Sequence, residues 1–142
     1  MAGAASLAGL AASVILAAAG LLHVYWAVGG RLGHGAAIPT RDGRPVLQPS
    51  ALGTLAVGAA LWVAAGLIVV RSGLVALPAL DGAAVVAAWL LAVMFIARAI
   101  GDFRYVGFFK RVTGSRFARL DQTIFAPLCL LLGVLAAIVA AS

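Results

Sequence analysis

Three side chains near the end of the third apolar stretch, Arg98, Asp102 and Tyr105, follow at spacings of four and three. On a continuous helix that spacing sets a guanidinium, a carboxylate and a phenol on one face. Ionisable groups at such depth in a lipid-facing chain face a bundle interior or a wet cavity and mark function. A second group lies in His23-Val24-Tyr25-Trp26-Ala27-Val28-Gly29-Gly30, where an imidazole precedes two aromatic rings. His23 and Asp102 are the candidate acid or base. Arg98 and Arg104 are placed to hold an anionic headgroup or a developing charge, with Tyr25, Trp26, Tyr105 and Lys110 as further ligand-binding candidates. Without a ligand, Tyr25 and Trp26 read as interfacial belt residues, and Arg98 as a snorkelling surface partner of Asp102.

What must position these residues follows from composition. Of 142 residues, 65% are hydrophobic and 10% charged, with a mean hydropathy of +1.16. Four acids and ten bases cannot cover a water-soluble domain of this length, so the surrounding solvent is lipid. Apolar stretches predict helices at about 5–28, 51–70, 82–102 and 122–141, each close to the roughly 20 residues that cross a bilayer. No alternating ten-residue strands suggest a barrel, and a lipid-exposed backbone must bond to itself. The expected fold is therefore all-α, a polytopic four-helix membrane bundle in a single domain.

The third apolar run has only the residues from Gly82 to Ala97 before Arg98, which predicts that its helix continues through Arg98 toward Asp102. Ser50, Asp81 and Asp121 stand where N-caps of the second, third and fourth helices belong. Trp62 and Trp89 fall inside spans, which suggests bundle-core positions. Gly58, Ala65, Gly66, Gly133 and Ala137 permit close helix approach. The first span lacks the basic n-region of a secretory signal and is expected to remain as a mature helix.

Parity puts the loops at about 29–50 and 103–121 on one side, with both termini opposite. The looped side carries Arg31, Arg41, Arg44, Arg104, Lys110, Arg111, Arg116 and Arg119, against Arg71 alone on the other. The excess of bases predicts cytoplasmic loops and an N-out, C-out orientation in a bacterial cytoplasmic membrane. It also predicts anionic lipid headgroups, not nucleic acid, as partners of the formal +6 charge. The basic and aromatic run from Phe103 to Arg111 suits the same interface.

No phosphate loop, HExxH or GxSxG is present, the two histidines are eleven apart, and Cys129 is the single cysteine. These absences leave no expected metal, haem or other cofactor. Two function classes remain. One is a binding protein or enzyme with a cytoplasm-facing pocket for a lipid-like or anionic amphiphile. The other is a non-catalytic subunit or scaffold, homo-oligomeric or docked on a partner membrane subunit through its basic loops.

The His23–Gly30 segment, Gly101-Asp102-Phe103-Arg104-Tyr105-Val106-Gly107-Phe108-Phe109-Lys110-Arg111 and Phe117-Ala118-Arg119-Leu120-Asp121 resemble a bacterial family of small four-span membrane proteins known as a domain of unknown function. The resemblance covers essentially the whole chain and implies the four-span architecture. It brings no established activity, substrate or cofactor.

Overall fold

Four long apolar helices dominate the computed structural model, which describes residues 2–142. In chain order the elements are α1 (Ala2–Ala27), a short α2 (His34–Ala37), a hairpin of β1 (Thr40–Arg41) and β2 (Arg44–Pro45), α3 (Ala51–Arg71) and α4 (Asp81–Ile100). They are followed by α5 (Arg116–Leu120), which runs through a π-helical segment, Asp121–Phe125, into α6 (Ala126–Ala140). The stretches long and apolar enough to cross a membrane are Gly3–Ala27, Ala51–Arg71, Pro78–Ile100 and Arg116–Ala140.

The helices close a square in which α1 packs on α3, α3 on α4, α4 on α6 and α6 back on α1. Short side chains make that square tight. Its core is built from Ala8, Ala12, Leu16, Ala65, Ile68, Ala88, Ala92, Leu132, Ala136, Val139 and Ala140. Large side chains such as Leu7, Leu52, Val63, Leu90 and Val93 point outward. Small residues inside and large ones outside are what lipid demands, because helix association there comes from close packing and not from water expulsion. Gly133 illustrates the fit, since a Cβ built on it would lie 2.6 Å from Ile96 Cγ1 and 3.1 Å from its backbone nitrogen. Gly66, by contrast, opens onto free space.

Trp62 and Trp89 do not fill the core: they are 46% and 48% exposed. Trp62 donates its indole N–H to the Ala17 carbonyl at 3.1 Å, tying α3 to α1. A uniformly apolar helix gives no periodic signal of which face is inward, so the expectation of core rings had no directional basis.

The third helix also differs from expectation. It ends at Ile100, two residues short, because Gly101 adopts φ +97° and ψ −175°, a backbone region essentially reserved for glycine. The missing length lies at the other end, where a 3₁₀ turn, Pro78–Leu80, leads into α4. There the N-cap position belongs to Leu80, which makes no side-chain cap bond, so Asp81 opens the helix as its first residue and not as its cap. Ser50 does cap α3, accepting from Gly53 N at 3.0 Å. Asp121 caps nothing: the fourth membrane helix begins upstream at Arg116, where Ser115 accepts from Ala118 N at 2.9 Å.

Both long loops gather at one end of the bundle, where α2 packs against α5 with Ala36, Phe117 and Ala118 buried. At the opposite end Ser6 donates to the Ser72 carbonyl at 3.1 Å, and Arg71 donates to the Ala140 carbonyl at 3.2 Å.

Candidate functional site

The candidate residues all lie at the two-loop end, but they separate into three places. The first is a pocket of about 210 Å³ between α1 and α3, roofed by α2 and the chain that follows it. His23, Trp26, His34 and Thr54 give it polar atoms, and Ile38, Leu47, Pro49 and Val57 give it apolar walls. Close approach of α1 and α3 beneath it depends on Gly58. A Cβ there would stand 3.0 Å from the Gly20 carbonyl oxygen and 3.2 Å from His23 Cβ.

His23 is oriented from its own helix, with Nδ1 2.8 Å from the Ala19 carbonyl oxygen. A carbonyl only accepts, so Nδ1 carries a proton, and in the neutral ring Nε2 then presents its lone pair. Among the described residues nothing bonds to Nε2, and it is not sealed from its surroundings. Trp26 stands edge-on between two imidazoles, its centroid 5.2 Å from that of His23 and 5.7 Å from that of His34. The indole is anchored by donation to the Leu32 carbonyl at 2.8 Å. The spacing of eleven hid His34 from sequence reasoning, since only the return of α2 over the helix end brings its ring to the pocket. Tyr25 faces away: Gly30 sits beneath its ring, and its hydroxyl accepts from Leu32 N at 3.4 Å.

The second place is a buried charge cluster between α4 and the π-helical turn. Arg98, instead of meeting Asp102 along a helix face, donates Nη2 to Asp121 Oδ1 at 2.8 Å. Asp121 is fully buried, and its Oδ2 accepts from Gly107 N at 2.7 Å and from Lys110 Nζ at 3.1 Å. Lys110 completes its donors on the Gly107 carbonyl at 2.7 Å and Gln122 Oε1 at 2.9 Å. Every acceptor and donor of the Lys110–Asp121 pair is thus engaged, as a charge out of water requires. Arg98 Nη1 is the exception, buried without a partner.

The third place is the loop Gly101–Gly107. Asp102 Oδ1 accepts from the backbone N–H of Arg104 at 2.9 Å, Tyr105 at 2.7 Å and Val106 at 3.0 Å. Its slight desolvation is the largest single influence and raises the pKa, but these amides together hold the carboxyl below its ordinary value. The loop closes on itself so tightly that a Cβ on Gly101 would fall 1.8 Å from the Val106 carbonyl oxygen. Phe108 N then donates to the Ala99 carbonyl at 2.8 Å, finishing the α4 terminus. Tyr105 lies under the Arg104 guanidinium, 5.1 Å from it, and away from both other places.

His23 and Trp26 are therefore together, Arg98 and Lys110 are together, and Asp102, Arg104 and Tyr105 are together. The long Gly101–Arg111 motif builds a helix terminus and delivers Gly107 N–H and Lys110 to Asp121. Asp121, which stands where an N-cap belongs in the sequence, is with His34 a site residue that the sequence does not reveal. Among the described residues no group of three or more His, Cys, Asp or Glu gathers to hold a metal ion.

No curated protein and no solved structure matches the chain. A family model described as "Protein of unknown function (DUF3995)" matches residues 3–136. The chain, an integral membrane bundle of four apolar helices, belongs to that family.

Proposed function

We propose that the protein binds a small lipid-like molecule at the two-loop end, with its polar group on His23 and its apolar body against Ile38, Leu47 and Val57. The observation that carries this reading is the bond between His23 Nδ1 and its own helix, which leaves Nε2 of the neutral ring as an unengaged acceptor in a largely apolar pocket. The lining holds no Lys, Arg, Asp or Glu, which favours a neutral amphiphile with a hydroxyl or similar donor over an anion. At about 210 Å³ the pocket is smaller than the roughly 300–1,000 Å³ of drug-sized sites, so it suits a ring or head portion, with any tail continuing into the bilayer. The basic excess of the two loops supports a cytoplasmic placement of this end.

His23 is also the group placed to take a proton from such a ligand. Its Nδ1–H bond to Ala19 persists in the imidazolium and helps to hold the added charge. Acid–base chemistry on the bound molecule would use that exchange, whereas Asp102 lies outside the pocket with Oδ1 committed to three amides of its own loop.

Native mass spectrometry of protein released from its own membrane tests the reading. A discrete adduct on the wild type that is absent from His23→Ala and from Val57→Phe, which fills the pocket and keeps the imidazole, is the expected result. Bulk phospholipid alone, the same on all three proteins, would contradict it.

A further inference from the structure

A second recognition surface lies at the same end and shares no residue with the His23 pocket. The β1–β2 hairpin turns at Asp42-Gly43, both in the left-handed region that a two-residue hairpin turn needs, with φ of 51° and 76°. That turn carries Arg41 to the loop following α4, where a cleft of about 510 Å³ is lined by Arg41, Asp102, Phe103, Arg104, Arg111 and Val112. Arg104 and Arg111 come from that one loop, and Arg41 comes from the distant hairpin. Arg111 N and Val112 N both donate to the Arg104 carbonyl, at 3.2 and 2.9 Å.

Their charges are poorly matched inside the protein. Arg41 meets only the exposed Asp42, at 3.7 Å, and Arg104 stacks on Tyr105. Among the described residues Arg111 has no ion pair. The one acid in the cleft, Asp102, already has Oδ1 shared by three amides. Beside the cleft Phe103 and Phe109 stand exposed, their centroids 6.5 Å apart. Guanidinium groups recognise phosphate oxygens, while exposed rings next to a membrane helix end settle at the acyl boundary.

We infer that the Arg41–Arg104–Arg111 cleft is a site for the phosphate of an anionic phospholipid, drawn from the leaflet at the two-loop end. The hairpin acts as a clasp, because it contributes a cation that no part of the α4 loop could supply. The flanking rings select a lipid over a free anion by giving its acyl chains an adjoining apolar surface.

The test is native mass spectrometry of the full-length protein in detergent, titrated with phosphatidylglycerol, with phosphatidylcholine of the same chains, and with inorganic phosphate. Phosphatidylglycerol is expected to be retained about tenfold better than phosphatidylcholine, on the scale of basic residues near a membrane surface. Arg41→Gln with Arg111→Gln should weaken that retention about thirtyfold, and Arg41→Gln alone, on the exposed hairpin, about fivefold. Arg31→Gln with Arg119→Gln removes the same charge from exposed positions outside the cleft and should leave retention unchanged. Equal losses in both double variants, equal retention of the two lipids, or displacement of the lipid by millimolar inorganic phosphate would each overturn the inference. The His23-dependent adduct should survive the cleft variants, so failure of one site is distinguishable from failure of the other.

Discussion

Two polar groupings share one end of this bundle and differ in what they leave open. Around Asp121 both carboxylate oxygens and all three Lys110 donors are engaged, and the carboxylate is sealed from solvent. Around His23 one ring nitrogen is held by its own helix and the other faces a pocket. Buried, paired charge is therefore a poor guide to a binding site here. The cluster richest in charge ties α4 to the fourth span and to the loop between them, and the donor it leaves unpartnered among the described residues, Arg98 Nη1, is buried. The cluster whose unengaged atom borders a pocket is the one proposed to take a ligand.

The contrast breaks first, and hardest, at Asp121. Asp121→Ala leaves Lys110 and Arg98 without their buried counter-charge, and the expected cost is about 3–5 kcal/mol, seen as a large fall in the thermal midpoint in detergent. A midpoint like that of the wild type would mean the cluster is not what joins these elements. Gly101→Ala comes next. A side chain at φ +97° with a carbonyl in its way should cost on the order of 1–3 kcal/mol by the same melting measurement. Retention of full stability would show that the loop can open without consequence.

Removing the His23 imidazole should matter far less to folding. His23→Ala loses one bond to a backbone carbonyl, worth about 1 kcal/mol, so a small change in midpoint is expected together with complete loss of the adduct. A collapse of stability comparable to that of Asp121→Ala would place His23 in the structural class and erase the contrast.

The smallest effect concerns pH. Because the folded-state pKa of Asp102 is lowered, its contribution is fully present above the ordinary aspartate value of about 3.9 and disappears as pH falls through the lower folded value. Amide exchange at Arg104, Tyr105 and Val106, measured relative to its intrinsic rate at each pH, should accelerate below about pH 4 in the wild type. In Asp102→Asn it should be fast and free of that step. A wild type without the acidic step would remove Asp102 from the loop's support.

The four spans were legible because hydropathy is a local property, and the grouping of both loops at one end followed from parity alone. The placement of His23 at that same end followed in the same way. Tertiary partners were not legible. Arg98 and Asp102 have ideal helical spacing, yet Gly101 between them ends the helix, and a glycine at that point is itself a stop signal that the length argument overrode. The partner of Arg98 lies 23 residues away, and nothing in the spacing announces it. Asp121 looked like a cap because it precedes an apolar run, although Ser115 offered an earlier start. His34 reaches the pocket only through the packing of α2 on α5, which no periodicity encodes.

The claim at the centre is that His23 keeps its proton on Nδ1 and offers Nε2 to a ligand. Nitrogen-15 NMR of histidine-labelled protein reads both ring nitrogens directly, before and after the protein is stripped of co-extracted small molecules. The expected result is a single Nδ1-protonated tautomer throughout, with an Nε2 resonance that moves on stripping while Nδ1 stays put. An Nε2-protonated ring, or an Nε2 signal indifferent to stripping, would contradict it.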